Sequence, residues 1–309
     1  MKKDLSLVRL GLPFGLLVIA VGLIVWLTGS TLNEDNSTGR ISVAASFYPY
    51  GEFARIVGGE YVTVRVITAP GSEPHDFEPS PQDILAVYRA KVFAYNGGGI
   101  DAWADRLEPD LADVQIVRGL ASADILRTDP DDPKSSDPHV WLDPIIAQKI
   151  VEKIADALIA IDPAHQTTYT ANSAAYQNEL KALDQVYRTS LASCTKQAIV
   201  TAHAAFGYLT DRYHLLQIAI SGLEEEEPSP AQLAKIAKVV KEQGIKYIFT
   251  ETLTSPRLSE TIAEEVGAET LVLNPLEGLT EAEAAAGANY LSVMNDNLAK
   301  LQTALDCQI

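Results

Sequence analysis

The chain has 309 residues and a formal net charge of −17, which argues against nucleic acid and anionic lipid surfaces as partners. Hydrophobic residues make up 47% of the sequence, enough for the cores of two domains. The sequence contains no HExxH, GxSxG, Walker or GxGxxG motif, so it carries no signature of a common enzyme class.

The first thirty residues have the features of a targeting segment. A basic start, MKKDLSLVR, leads into an apolar run at 10–27, which is long for a signal-peptide core and close to the ~20 residues that span a bilayer. The run predicts an uncleaved membrane anchor, and a cleaved signal peptide ending at residues 28–30 is the alternative. No cysteine follows the run, so a lipid anchor is not expected. Either way, the body of the chain is exported and periplasmic or otherwise extracytoplasmic.

After a polar linker at 31–40, strand-like runs alternate with helical patterns. Strands are predicted at ISVAAS, VTVRVIT and KVFAYN, with helices at YGEFARIVG and PSPQDILAVYRA between them. Ser80 and Pro81 are typical of the N-cap and the first residue of a helix, and they mark the start of the second one. The alternation predicts a parallel α/β lobe over residues 41–145.

From Pro144 to about Ser193 the sequence predicts helices only. The segment DPIIAQKIVEKIADALIAIDP has apolar residues at helical spacing, and Asp162-Pro163 ends this helix. The next segment, AHQTTYTANSAAYQNELKALDQVYRTSLAS, contains no glycine or proline and predicts one helix about 40 Å long. Residues 146–193 are therefore expected to connect two lobes rigidly.

The second half, residues 194–309, repeats the alternation. Strands are predicted at QAIVTA, LQIAIS, KYIFTE and TLVLN with helices between them, and a terminal helix is expected from about Ala282. The tetrapeptide EPSP occurs at 78–81 and again at 227–230, each time directly before a predicted helix. We interpret this repetition as a duplication that places two similar α/β lobes on either side of a cleft.

Two cysteines fit an exported protein. In an oxidising compartment, Cys194 and Cys307 are expected to form a disulfide that ties the C-terminus to the second lobe. Two unpaired buried thiols are the alternative. Because the chain has no CxxC pair, a thiolate metal site is not expected.

Three histidines and one glutamate stand where a parallel α/β protein gathers its ligands. His75 follows VTVRVIT, His203 follows QAIVTA, Glu277 follows TLVLN, and His139 precedes the connecting helices. The loops after parallel strands meet at one edge of a sheet, so these side chains are candidates for a single site. Three imidazoles and one carboxylate suit tetrahedral Zn²⁺, whereas a second carboxylate in place of a histidine would favour Mn²⁺.

Acidic neighbours can orient these candidate ligands. Glu73 or Asp76 could do so for the first histidine, and Asp137 or Asp143 for the second. Such partners fix the tautomer and the direction of an imidazole ring. They are therefore expected to surround the site rather than to bind the ion.

Other polar residues have simpler interpretations. His165 and His214 are expected at the surface or at the edge of the core. The run of glutamates at 224–227 is typical of a solvated loop, and an acidic mouth to the metal site is the alternative. The composition of residues 120–137 predicts an exposed, mobile loop.

In this order, the segments SFYP, PGSEPHDFEPSP, DPHVWLDP, TAHAAFGYL, EPSPAQLA and NPLEGLT resemble the metal-binding solute-binding proteins of zinc and manganese ABC transporters, the ZnuA/TroA-like family. The resemblance covers residues 41–309. It implies two α/β lobes with small parallel sheets, joined by one long rigid helix, with a metal site in the interlobe cleft. The ligands it implies are His75, His139, His203 and Glu277.

The resemblance also implies a function. The chain would be a monomeric receptor that captures Zn²⁺ outside the cytoplasm and delivers it to the membrane permease of an ABC importer. Manganese is the second choice, because manganese-type members carry a carboxylate at the position of His203. The segment 120–137 departs from many zinc members, since it has no histidine.

Two alternatives come from other classes of protein. One is a zinc-dependent hydrolase that uses the same histidines with Glu277 as general base, and the other is an adhesion protein with a structural metal. Four protein ligands leave no open coordination position for substrate or activated water, which favours binding over catalysis.

Overall fold

The computed structural model describes residues 39–124, 126–128, 136–223 and 228–308. Within this part of the chain, eight strands form two parallel four-stranded sheets, ordered β2-β1-β3-β4 and β6-β5-β7-β8. The first sheet contains β1 (Ile41–Ala45), β2 (Val62–Val66), β3 (Val92–Tyr95) and β4 (Gln115–Arg118). The second contains β5 (Ala198–Thr201), β6 (Leu216–Ala219), β7 (Tyr247–Thr250) and β8 (Glu269–Val272). The two sheets share one strand order, which confirms the predicted class of two similar α/β lobes.

Helices cover the sheets and connect them. Those associated with the first sheet are α1 (Tyr48–Gly58), α2 (Pro81–Arg89) and α3 (Ala102–Leu107). The connecting helices are α4 (Pro144–Ile161) and α5 (Gln166–Leu191). Those of the second half are α6 (Gly207–Arg212), α7 (Pro230–Gln243), α8 (Arg257–Val266), α9 (Glu281–Ala285) and α10 (Tyr290–Ala304).

The repeated EPSP segments lie at equivalent positions of the two lobes. The first precedes α2, which follows β2, and the second precedes α7, which follows β6. Ser80 and Ser229 are the N-caps, and each forms a reciprocal capping box with the residue three positions on, Asp83 or Gln232. Equal sheet order and equal helix starts support the duplication inferred from the sequence.

Helix α5 is the long connector predicted from the sequence. It has 26 residues, packs along α4, and also contacts α1 of the first lobe and α10 of the second. A single buried cluster runs from the first sheet through α4 and α5 to the second sheet; Val43, Ile150, Tyr187 and Ile199 belong to it. The two lobes therefore share one hydrophobic core on the side where α4 and α5 connect them.

Three elements differ from the sequence prediction, and helix α3 is the first of them, since no helix was predicted at Ala102–Leu107. Strand β4 was not predicted, because QIVR is a short edge strand with exposed residues at both ends. The terminal helix expected from Ala282 is divided into α9 and α10, because Gly287, at φ 76°, interrupts it.

Three further predictions concern the disulfide, the membrane anchor and the boundaries of the lobes. Cys194 and Cys307 form a disulfide, as predicted. The predicted anchor at 10–27 lies outside the described residues, and among those described we find no helix long and apolar enough to cross a membrane. The lobe boundaries at 41–145 and 194–309 stay predictions.

Candidate metal centre

Three of the four candidate ligands lie on loops at the carboxyl ends of strands, and the fourth lies just before the connecting helices. His75 is in the loop between β2 and α2, and His139 precedes α4. His203 follows β5, and Glu277 follows β8. Because both sheets are parallel, these loops emerge where the two lobes meet, and the sequence thereby brings distant residues to one place.

The structure brings the four side chains together around one carboxylate oxygen. Glu277 Oε1 lies 3.3 Å from His139 Nε2, 3.4 Å from His203 Nε2 and 3.7 Å from His75 Nε2. The Nε2 atoms of His139 and His203 are 3.4 Å apart. One ligand atom from each of the four residues lies within 4.8 Å of all the others.

These separations fit a tetrahedral zinc site. Bonds of about 2.0–2.1 Å at tetrahedral angles place neighbouring ligand atoms about 3.3 Å apart. Three of the four side chains are fully buried, and His75 keeps a 10% exposed side chain at the mouth of the site. Within the described part of the chain, both oxygens of Glu277 and Nε2 of His75 are buried without a hydrogen-bond partner. Buried polar atoms of this kind are costly unless a ligand or ion satisfies them.

Carboxylates behind two of the histidines fix the direction of their rings. Asp137 Oδ1 accepts hydrogen bonds from the backbone amide and from Nδ1 of His139, at 3.0 and 2.8 Å. Glu251 contacts Nδ1 of His203 with both carboxylate oxygens at 2.8 Å. In each case the Nδ1 partner leaves Nε2 to face the centre, an arrangement typical of metal-binding histidines.

The other predicted partners have different roles. Glu73 accepts hydrogen bonds from the backbone amides of His75 and Asp76, at 2.8 and 3.0 Å, so it holds the backbone of the loop. Asp143 caps α4 and pairs with Arg212, and it is Asp137 that orients His139. The sequence did not single out Glu251, although its position at the end of β7 is the signal that could have done so.

The loop that carries Glu277 has a strained backbone. Leu276, fully buried, adopts the left-handed conformation at φ 58°, which costs a non-glycine residue on the order of 1 kcal/mol or more. Two contacts hold it there: Asn274 Oδ1 accepts a hydrogen bond from the Leu276 amide at 2.7 Å, and Asn297 of α10 holds Asn274. The strain directs Glu277 towards the three imidazoles.

The electrostatics of the cluster couple its members. Burial disfavours charge on His203, but the carboxylates of Glu251 and Glu277 raise its pKa well above the usual value. Burial also opposes protonation of His75, and Glu277 nevertheless raises its pKa. Burial would raise the pKa of Glu277, yet the imidazoles, His203 first among them, hold it well below its usual range. The raised pKa values of His75 and His203 mean that protons compete with a cation for these two imidazoles.

Polar residues expected elsewhere stay apart from this cluster. His165 stacks on Tyr61 and pairs with Asp162, and His214 follows α6 near the disulfide. The glutamates at 224–227 lie outside the described residues. Within the acidic segment 120–137, Arg127 and Asp137 pair with each other, while residues 125 and 129–135 lie outside the described part.

Comparison with known proteins places these features in a family. Residues 43–304 match the family model described as ZnuA, zinc-uptake complex component A, periplasmic. The chain is 35% identical to the high-affinity zinc uptake system protein ZnuA of Bacillus subtilis, over 94% of both chains. It is 37% identical to the zinc-binding lipoprotein AdcA of Streptococcus pneumoniae, over 89% of this chain and 58% of AdcA, so it spans less than two thirds of that relative.

Solved structures of similar proteins have the same fold as this chain. The Zn(II)-bound crystal structure of AdcA from Streptococcus pneumoniae has a TM-score of 0.77 at 38% identity, over 87% of this chain and 59% of that one. The laminin-binding adhesin Lmb of Streptococcus agalactiae, in a mutant structure, has a TM-score of 0.79 at 35% identity, over 86% of this chain and 99% of that one. The match along most of the chain and the shared fold show that this chain belongs to the ZnuA family of zinc-uptake components.

Proposed function

We propose that this chain is the extracytoplasmic receptor of a zinc importer, and that it binds one Zn²⁺ through His75, His139, His203 and Glu277. The observation that carries the proposal is the convergence of three Nε2 atoms on Glu277 Oε1, at 3.3–3.7 Å, in a buried setting. The donor set favours zinc over manganese, since three of the four ligands are imidazoles. The names of the relatives, which concern zinc uptake and zinc binding, support it.

The ion is cargo in this proposal, and a membrane permease is the partner that receives it. Four protein ligands leave no coordination position for an activated water, so the site serves binding and not hydrolysis. We further propose that residues 10–27 tether the receptor to the membrane and that it acts as a monomer. Hydrolysis of ester or peptide substrates by the zinc-loaded chain would support the enzyme alternative instead.

Metal analysis and calorimetry test the proposal. The full chain, purified without added metal and then titrated, is expected to bind one equivalent of zinc and to prefer zinc to manganese in competition. His203→Ala is expected to weaken zinc binding by more than about 100-fold, because losing even an outer partner of a ligand costs about 10–100-fold.

His165→Ala is the matched control. This histidine also has a carboxylate partner, Asp162, but lies outside the cluster. The His165→Ala variant should bind zinc with wild-type affinity. Zinc binding by the His203 variant with wild-type affinity, or stoichiometric manganese in preference to zinc, would contradict the proposal.

A further inference from the structure

We propose that Arg127 is a positioning residue that fastens the segment before His139 to helix α6 and thereby slows the release of zinc. This inference rests on the proposed function, because it concerns the same ion. Arg127 and Asp137, together with Thr128 and Ser136, form what we call the loop neck, which lies within the acidic segment 120–137. The first residue of α6, Gly207, lies against this neck.

The loop neck is closed by backbone contacts. Thr128 and Ser136 form an isolated antiparallel bridge. One step closer to the site, the amide of Asp137 donates to the carbonyl of Arg127 at 2.9 Å. The two residues are therefore held side by side, although ten positions separate them in the sequence.

Arg127 then joins the neck to α6. Its backbone amide donates to the phenolic oxygen of Tyr208 at 3.1 Å, and its guanidinium forms an ion pair with Asp211. On its other side, Nε lies 3.3 Å from Oδ2 of Asp137. A single arginine thus contacts a residue of the neck and two residues of a helix that belongs to the second sheet.

Asp137 transmits this attachment to the ligand. Its Oδ1 holds the backbone amide and Nδ1 of His139, while its Oδ2 faces Arg127. The side chain of Asp137 is 4% exposed, so water has little access to replace Arg127 as its charged partner. For zinc to leave, His139 must withdraw, and it can do so freely only when the neck leaves α6.

Gly207 is what allows the neck to lie so close. A Cβ at this position would come within 2.5 Å of both Arg127 Nε and Asp137 Oδ2. The φ of Gly207 is not positive, so the backbone itself would accept alanine. The glycine is therefore explained by the close approach of the two side chains, and alanine there would push them apart.

Two variants test the proposal by different means. Arg127→Gln removes the charge, and Gly207→Ala displaces the neck without removing any polar group. Zinc dissociation from the loaded full chain would be followed by stopped flow with a chromogenic chelator in excess. Both variants are expected to release zinc about tenfold faster, at the lower end of the effect of outer partners on metal sites. Arg127→Lys is expected to restore part of the slow rate.

Matched controls separate positioning from general stability. Arg106→Gln breaks an ion pair with Glu78 in which both side chains are largely exposed, and Gly222→Ala adds a Cβ that meets no atom of the described residues within 4 Å. Both should release zinc at the wild-type rate. The atoms that an added Cβ would meet belong to side chains, which can shift, so Gly207→Ala should keep the unfolding temperature of the metal-free protein while it speeds zinc release. A purely structural role of the neck would not produce that combination.

The outcomes distinguish this inference from the proposed function. If the wild type binds zinc and both Arg127→Gln and Gly207→Ala release it at the wild-type rate, the positioning role is wrong and the receptor function stands. If faster release appears only together with a lower unfolding temperature in both variants, the positioning role is also wrong. A wild type that binds no zinc overturns both proposals.

Discussion

At the scale of single residues, what distinguishes the candidate site is the number of imidazoles around one buried carboxylate. A histidine paired with a carboxylate is not in itself a site, as His165 and Asp162 show at the surface of the same molecule. In the cluster, by contrast, Glu277 is fully buried and has three imidazoles within 3.7 Å. A lone buried carboxylate would be protonated or avoided, and here the surrounding rings keep it charged.

Protons and zinc compete for these rings, and this gives a pH dependence. The pKa values of His75 and His203 are raised in the metal-free site, so both tend to carry protons that zinc must displace. Zinc affinity is therefore expected to fall as pH decreases, with the decline beginning above the value near 6.5 of a free imidazole. Calorimetry in buffers of different ionisation enthalpy would measure the protons released. Equal zinc affinity at pH 5 and pH 8 would contradict this prediction.

The raised pKa of His203 also predicts that the stability of the metal-free protein falls as pH rises, whereas zinc affinity increases. A group whose pKa is raised on folding stabilises the fold below its unfolded pKa, and this stabilisation is lost as pH rises through the folded value. For His203 the loss therefore lies above about pH 6.5. Thermal unfolding should show the metal-free protein losing stability in that range while the zinc-loaded protein does not.

At the scale of elements, the candidate site depends on links between segments that carry different candidate ligands. Trp141, fully buried two residues after His139, donates from Nε1 to the carbonyl of Pro275 at 2.8 Å, two residues before Glu277. Its own carbonyl accepts from the hydroxyl of Tyr290 at 2.6 Å, at the start of α10. One tryptophan thus fixes the loops of two candidate ligands, His139 and Glu277, relative to each other.

Trp141→Phe tests this link. Phenylalanine keeps an aromatic ring but leaves the carbonyl of Pro275 without its donor, which costs about 1–3 kcal/mol of stability when the group stays buried. If about 1 kcal/mol of that loss falls on the alignment of the loops, zinc affinity drops about fivefold. Trp103→Phe, at a buried position in another cluster of the first lobe, is the control and should change stability without changing zinc affinity. Equal zinc affinities in all three proteins would contradict the prediction.

The sequence could predict features that a short stretch of residues determines by itself, but not contacts between residues that only the folded chain brings together. Seven of the eight described strands were predictable from β-branched and aromatic runs, such as KVFAYN, whose residues in β3 are all buried. The four members of the cluster stand in conspicuous loops after strands or before a helix. Trp141 and Arg127 were not predictable as partners, because each acts on a residue at least ten positions away whose direction only the folded chain fixes. Glu251 was recognisable only as a carboxylate at the end of a strand, and the fold alone shows that it faces His203.

At the scale of the whole molecule, the two lobes have the same strand order and one shared core, and the disulfide closes the far side of the second lobe. Cys194 precedes β5, whereas His203 follows it, so the disulfide and the candidate metal centre lie at opposite ends of that strand. Stability and zinc binding should therefore be separable in this molecule.

Replacing both cysteines by serine tests that separation. The disulfide closes a loop across 113 residues, and in the chain-entropy model its loss costs about 4–5 kcal/mol. Chemical denaturation should show that loss, while calorimetry below the unfolding transition should give the wild-type zinc affinity. A large change in zinc affinity with little change in stability would contradict the prediction.

The connector α5 leads to a prediction about motion. It contacts both lobes and is hydrogen-bonded to each: Asn172 donates to the carbonyl of Val57 at 3.0 Å, and Tyr187 donates to the carbonyl of Met294 at 2.5 Å. Hinge bending between the lobes would break these contacts along a helix without glycine or proline, so zinc should enter and leave by local movement of loops. Small-angle scattering of the metal-free and zinc-loaded full chain should therefore give profiles that superimpose. A clear decrease in the radius of gyration on zinc binding would instead show that the lobes close, and the connector would then have to bend.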